Sequence, residues 1–467
     1  MQIINLSFAG LLTVLQMIVL FVDDGWLSFL SLTLNLMFVV FFCMQNPFRR
    51  APLFAFVVSF FVLLLSRIYL PYFYDVDKLT YQSMFSIENA YLPECYRQLS
   101  LALLSIVLVY MFSSVTLTQN KCYVNFESPQ VRSLRDCAKK MALFASVFFI
   151  YNAVSMAISN ITLGYMSLYD SSSATSTFIS FTGGKFNFCM YLYFATMPSK
   201  SECKRMLWLY FVCNAITLFT GVRGNFVVPL IFFVLYLVIR NYVNSGGEIW
   251  LSRKHILFLL AAFPFFMILM YVVMVLRAGR TLADMSVVDG VLSSVYQLGS
   301  SIEVIHNGIK YQDFLHMQRW FSLTPIYDLF VHNPFSDFIF NVPHISQHTI
   351  ERATMGGDIS ASLTYIDNPK RYFANGGIGT SYVTEGWIDM GYFGIILYSS
   401  LYGFILGNVW KWMNRNVWQI FFFLVVVAQI IYAPRSWATA LFTVMFEAKS
   451  WPYLLIAYYC YTHPYKK

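Results

Sequence analysis

Residues 53–73 read LFAFVVSFFVLLLSRIYLPYF. A helix of that length crosses a hydrocarbon core of roughly 30 Å, and its single charge, Arg67, falls toward one end. Blocks of the same kind, about 15 to 24 residues long, recur along the whole chain and are parted by short polar joints. Hydrophobic residues make up 58% of the 467 and charged residues 12%, against roughly 45–50% and about 25% in soluble domains. A water-soluble protein is excluded. The expectation is an all-α polytopic membrane protein of about twelve transmembrane helices, with the 19% aromatic share serving lipid-facing surface and interfacial belts.

The net charge of +8 forms no stripe or cluster, so nucleic acid is not an expected partner. The basic residues collect at alternate joints: Arg49 and Arg50, Lys139 and Lys140, Lys204 and Arg205, Arg253 and Lys254, Lys411 and Arg415, Lys466 and Lys467. By the positive-inside rule these joints and both termini face the cytoplasm. The eight cysteines show no CxxC or CxxH spacing, which argues against a disulfide framework and a Cys-based metal site. The N-terminus has no basic n-region and no small-x-small cleavage site, so the first apolar stretch is expected to stay as a helix. No internal repeat and no soluble cytoplasmic domain interrupts the pattern, which argues against an ATP-driven pump.

Three blocks follow in order: residues 1–276 with helices one to nine, residues 277–386 as one large loop, and residues 387–467 with helices ten to twelve, the last uncertain because Glu447 and Lys449 fall within it. The loop is far longer than an ordinary connection, lies on the external side by topology, and holds five of the seven histidines.

Candidate chemistry gathers around this external side. Arg223, in Thr220-Gly221-Val222-Arg223-Gly224-Asn225, is squeezed between two apolar spans, a costly position for an arginine. Its planar fork suits a phosphate or pyrophosphate of a lipid-linked substrate; the plain alternative is snorkelling to headgroups. Arg277 and Arg280 share a face if the preceding helix continues, and two guanidinium groups aimed at one point suit a diphosphate. Arg67 and Arg435 are candidates to complete a cationic pocket. Arg371, beside Lys370, is either a substrate contact or a solvated loop charge.

His344 and His348 are four apart, but no Glu follows the first, so a zincin-type site is not expected and no metal or cofactor is assigned. One histidine acting as general base on a sugar hydroxyl is preferred to a metal site, while a hydrogen-bonded structural histidine is the default reading for each of the five. The exit from the loop, Asn375-Gly376-Gly377-Ile378-Gly379-Thr380-Ser381, offers tight turns, and the amides around Gly377 and Gly379 are candidates to meet a phosphate or sugar. Glu385 and Asp389, four apart at the start of the expected tenth span, would share a helix face. Glu385 is read as a base, a sugar-hydroxyl acceptor or an arginine partner, against the alternative of a carboxylate at a helix N-terminus.

The Thr220-Gly221-x-Arg223-Gly224 joint, the single long external loop, and its exit Gly376-Gly377-x-Gly379-x-Ser381-x-x-x-Glu385 with Asp389-x-Gly391-x-x-Gly394 together resemble the O-antigen polysaccharide polymerases, the Wzy-type repeat-unit polymerases of bacterial envelopes. The resemblance implies a GT-C-like, metal-independent glycosyltransferase of the bacterial inner membrane, using undecaprenyl-diphosphate-linked oligosaccharides on the periplasmic face. It implies that Arg223 holds the donor's pyrophosphate. Membrane lipid and a polysaccharide chain-length regulator are the further partners expected. A lipid-linked oligosaccharide flippase and an O-antigen ligase are the rival readings; the ligases' His-Asn motif with a distal glycine is not reproduced at His306-Asn307 or His332-Asn333.

Overall fold

The computed structural model describes residues 2–75, 88–114, 125–163, 177–220, 224–243, 249–277, 286–315, 320–331, 345–413 and 416–464. The secondary structure of these residues is helical, with no strand among them. Eight of the described helices are long and apolar enough to cross a membrane: Ile3–Phe21, Gly25–Gln45, Ala51–Tyr72, Asn89–Ser114, Pro129–Ser159, Gly224–Tyr242, Tyr392–Trp412 and Val417–Arg435. The chain is thus an all-helical multi-pass membrane protein, the form expected where hydrocarbon offers the backbone no outside hydrogen-bond partner.

The other four expected spans take different forms. The stretch at 181–197 is two helices, Thr177–Gly184 and Phe186–Ala195, parted at Lys185. The stretch at 206–219 lies in helix Lys200–Ile216 and the 3-10 turn Thr217–Thr220, and that at 256–276 lies inside helix Arg253–Arg277. The last stretch breaks into Ala440–Phe446 and Trp451–Thr462, with Glu447 at the break. The two breaks are linked, because Lys185 Nζ donates to Glu447 Oε2 at 2.6 Å. The pair gives the buried Lys185 ammonium its counter-charge.

The tenth span also starts later than the sequence suggests. Helix Tyr382–Met390 stops at Gly391, whose φ of 60° suits glycine, and the span begins at Tyr392. Glu385 and Asp389 therefore sit on a separate short helix before the span. A Cβ on Gly394 would collide with the backbone of Gly386, so small residues let the short helix fold tightly against the span.

Contacts divide the chain into two compact units, each made of three stretches. The first comprises Met1–Thr118, Leu298–Trp410 and Gln429–Thr443; the second comprises Gln119–Gln297, Lys411–Ala428 and Val444–Lys467. Within the first, buried polar groups tie the spans together. Ser31 and Ser100 hydroxyls both donate to Gln16 Oε1, at 2.9 and 2.6 Å, and Asn35 Nδ2 donates to Ser100 Oγ at 2.7 Å. Such bonds favour helix association in lipid, where apolar side chains alone gain little. Close approach does the rest: Gly403 and Gly407, a small-xxx-small pair on span Tyr392–Trp412, face Ile106, Tyr110 and Ser113 of span Asn89–Ser114.

A Gly403→Val variant drives a branched side chain into the Ile106 carbonyl and is expected to lose about 1–3 kcal/mol of stability. Thermal unfolding of the detergent-purified protein reads the loss. A Gly10→Val control, where an added Cβ meets nothing within 4 Å, leaves the midpoint in place.

Candidate active site

Arg67 is only 7% exposed, five residues before the end of span Ala51–Tyr72. The helix is irregular just before it: Phe61–Leu65 forms a π-turn, a distortion common at functional sites. Its guanidinium finds a counter-charge in Glu303, through Nη1 to Oε1. Glu303 is itself 8% exposed and sits on helix Ile302–Lys310. The approach depends on Gly299, where a Cβ would run into Ser66 and Arg67, so the turn Gly299–Ser301 is pressed onto the span.

Two more of the arginines picked out from the sequence belong to the same neighbourhood. Arg435, half-buried in the turn Ala433–Arg435 that ends span Val417–Arg435, donates through Nη1 to Ser300 Oγ at 3.5 Å. Its span is fixed to that of Arg67 by the Ser59 hydroxyl, which donates to the Ile431 carbonyl at 2.5 Å. Arg371, on helix Pro369–Phe373, reaches the Gly377 carbonyl at 3.0 Å. The fields of Arg67, Arg371 and Arg435 all act on the Glu303 carboxyl and lower its pKa, while burial, the larger influence, leaves it above the ordinary carboxylate value. Arg67 thus pairs directly with the carboxylate, and the charges of Arg371 and Arg435 also act on it. Positive charge in a partly dehydrated site is what a diphosphate needs.

Glu303 was not among the residues singled out in the sequence. A signal for it does exist: it is a lone carboxylate on a short helix whose Ile302, Val304, Ile305 and Ile309 are all buried, and a carboxylate among buried neighbours needs a cation.

Three amides of the glycine-rich loop are bonded within the protein. The amide of Gly376 donates to the Arg371 carbonyl at 2.8 Å, that of Ile378 to Thr364 Oγ1 at 3.1 Å, and that of Gly379, at φ 86°, to Ser360 Oγ at 3.1 Å. The loop is a tight internal turn against helix Ile359–Asp367, and its Gly377 carbonyl holds Arg371.

Glu385 and Asp389 lie one turn apart yet bind separate partners. Glu385 is fully buried; Oε1 accepts from the Thr380 hydroxyl at 2.7 Å and Oε2 from the Ala438 amide at 2.8 Å. Burial raises its pKa well above the usual carboxylate range. Both oxygens are therefore engaged, and the side chain ties the loop exit to the segment that follows Arg435. Asp389 accepts from the amides of Phe321 and Ser322, each at 2.8 Å, and from the Ser322 hydroxyl, capping the helical turn that leads into Thr324–Val331. Ser322 is a junction, since its Oγ also accepts from Tyr398 at 2.6 Å and its carbonyl from Thr439.

Two histidines are described in the loop, and hydrogen bonding assigns each a tautomer. His306 Nε2 lies 3.0 Å from the Glu88 amide, which must donate, so the proton is on Nδ1, facing Asn307 Oδ1 at 3.0 Å. This ring is held at both nitrogens. His348 Nδ1 lies 2.9 Å from the Tyr372 carbonyl, which can only accept, so Nδ1 carries the proton and Nε2 is the basic atom. His348 lies in a turn at φ 57°, before helix Ile350–Met355. Among the described residues no three His, Cys, Asp or Glu side chains gather as a metal site.

Arg223, Arg280 and His344 lie outside the described residues, as do His316 and His332; Arg277 is the last residue of its helix, and its side chain is likewise outside them.

Replacing Glu385 by Ala leaves the Ala438 amide and the Thr380 hydroxyl without their acceptor, and is expected to cost about 1–3 kcal/mol. Glu385→Gln keeps one acceptor and one donor in place, and stays near wild-type stability and activity. The raised carboxyl binds its proton more tightly when folded, so its contribution is present below the ordinary carboxylate value and lost as pH rises through the raised one. Melting midpoints measured against pH lose that component of the slope in the Gln variant.

No curated protein and no solved structure matches the chain. The family model for the O-antigen polysaccharide polymerase Wzy matches residues 3–467. With its helical membrane architecture and its basic cluster, the chain belongs to the O-antigen polysaccharide polymerase Wzy family.

Proposed function

We propose that this protein extends O-antigen by joining undecaprenyl-diphosphate-linked repeat units on the periplasmic face of the inner membrane, by glycosyl transfer that needs no metal ion. The observation that carries this reading is the buried Arg67–Glu303 pair, with Arg435 bonded to Ser300 on the adjoining turn. A sugar hydroxyl of the acceptor attacks the anomeric carbon of the donor, and undecaprenyl diphosphate leaves. The bond to phosphate breaks with its electron pair on oxygen, so negative charge grows where fixed guanidinium groups stabilise it. These cations supply what a divalent ion supplies at other phosphate sites.

His348, with its proton held on Nδ1 by the Tyr372 carbonyl, is the proposed base, accepting the hydroxyl proton at Nε2. Arg223, Arg277 and Arg280 keep a hold on pyrophosphate, as the resemblance implies for Arg223; both lipid-linked molecules in the reaction carry one. Glu385 acts as a positioning residue for the segment bearing Arg435, and Asp389 holds the aromatic stretch Trp320 to Tyr327 in place beside the sugars.

Deleting the gene is expected to leave lipid A core carrying one repeat unit; intact long ladders on a gel overturn the polymerase reading. Complementation with Arg435→Ala or Arg223→Ala, each inserted at normal levels, lowers polymer yield by about 10²–10³. An Arg435→Ala strain with full ladders removes the cluster from the mechanism. Replacing His348 by Ala is expected to cut turnover of the purified enzyme by about 10²–10⁴ with lipid-linked substrate binding unchanged; unaltered turnover rules the imidazole out as base.

A further inference from the structure

We propose that the short apolar helix Phe321–Val331 lies in the headgroup layer of the bilayer, with Trp320, Leu323, Tyr327 and Phe330 against lipid, and so fixes the depth at which the candidate site meets the membrane. These four side chains are 48%, 39%, 43% and 68% exposed. They are three and four residues apart, the spacing that puts side chains on one face of a helix. At 1.5 Å per residue the helix is about 16 Å long, too short to cross hydrocarbon. Its other side is committed to the protein. Phe321 packs in a core with Val304, Leu315, Ile359, Leu363 and Ile378, Thr324 is buried, and Asp328 Oδ2 pairs with Arg352 Nη1 at 3.7 Å. An apolar exposed face opposite a polar, tied one is the pattern of a helix that lies in an interface rather than across it.

Level and continuity both make lipid the occupant of the exposed face. Ser322 Oγ accepts from Tyr398 at 2.6 Å, and Tyr398 is the seventh residue of span Tyr392–Trp412. A residue there lies about 9 Å along the axis from the start of the span. A tyrosine on a helix leans back toward the N-terminus, so the hydroxyl that holds Ser322 sits where the span enters the bilayer. Phe393, Ile396 and Leu397, on the same two turns as Tyr398, are exposed, so the apolar surface that this span turns to lipid reaches the point where the short helix is fastened. Trp and Tyr are the side chains that settle at that level, each with an apolar ring and a polar edge. The Thr439 hydroxyl donates to the Ser322 carbonyl, and Thr439 lies a few residues past Arg435, so seating the helix in the interface also sets the depth of that arginine. A helix at headgroup level still lies beside the sugars of a lipid-linked substrate, whose diphosphate shares that level.

The test uses the full chain in nanodiscs containing a phospholipid with a diazirine at the ester end of one acyl chain. Irradiation inserts the carbene into the side chains that the lipid touches, and mass spectrometry of the digested protein locates the adducts. Trp320, Leu323, Tyr327 and Phe330 are expected to carry adducts as often as Phe393 and Leu397 of the span, and several-fold more often than Asp313 and Lys370, two exposed charged residues of the same compact unit. A second copy of the chain or a glycan seated on this face would shield it from lipid. Adducts at the four positions no more frequent than at Lys370 therefore overturn the proposal. The measurement needs no substrate and no variant, so its outcome is independent of the diphosphate reading.

Discussion

A guanidinium near the end of a hydrophobic helix has to be neutralised or reach water, and Arg67 is buried. The organisation of the first compact unit follows from how that requirement is met. The counter-charge comes from Glu303, more than two hundred residues away in sequence. Bringing it in requires a glycine at 299, where a Cβ would run into Ser66 and Arg67. Once Glu303 is there, its field is shared with Arg371 and Arg435, and a pairing that solves a problem of burial becomes a centre of positive charge.

The rest of the site is stiffened by side chains that bond backbone rather than substrate. Glu385 holds the Ala438 amide, Asp389 holds the amides of Phe321 and Ser322, and Arg371 holds the Gly377 carbonyl. Ser322 then joins helix Tyr382–Met390, span Tyr392–Trp412 and the segment at Thr439. Loops of this length would otherwise be mobile. Fixed cations need little reorganisation when charge develops near them, which is the main source of electrostatic catalysis.

Some of the site was visible before the structure. Arg67, inside a span, and Arg435, at an external joint, attract notice in a chain that keeps most of its positive charge on alternate joints, while Arg371 reads as a substrate contact or a solvated loop charge. That their charges act on one carboxyl was not visible, since they lie 304 and 64 residues apart and nothing in periodicity reports contact over that range. In the glycine-rich turn the Gly379 amide bonds Ser360 and the Ile378 amide bonds Thr364, pairings that the sequence does not display. Glu385 and Asp389 share a helix, as their spacing suggests, but face different partners because Gly391 separates their helix from the span. Lys185 and Glu447 looked unrelated and form one ion pair across two helix breaks.

Hydropathy by itself determined that this chain is a helical membrane protein, because length and apolar content decide whether a segment is stable in hydrocarbon, and both are local quantities. The sequence also marked an uncommon minority of arginines and the motifs that resemble a polymerase family. Only the tertiary structure decided which charges meet and which nitrogen of His348 is basic. It also decided which carboxylates act as internal ties and where the expected spans break. Those outcomes depend on pairings between distant residues, each decided by whether a buried polar group finds a partner within hydrogen-bond reach.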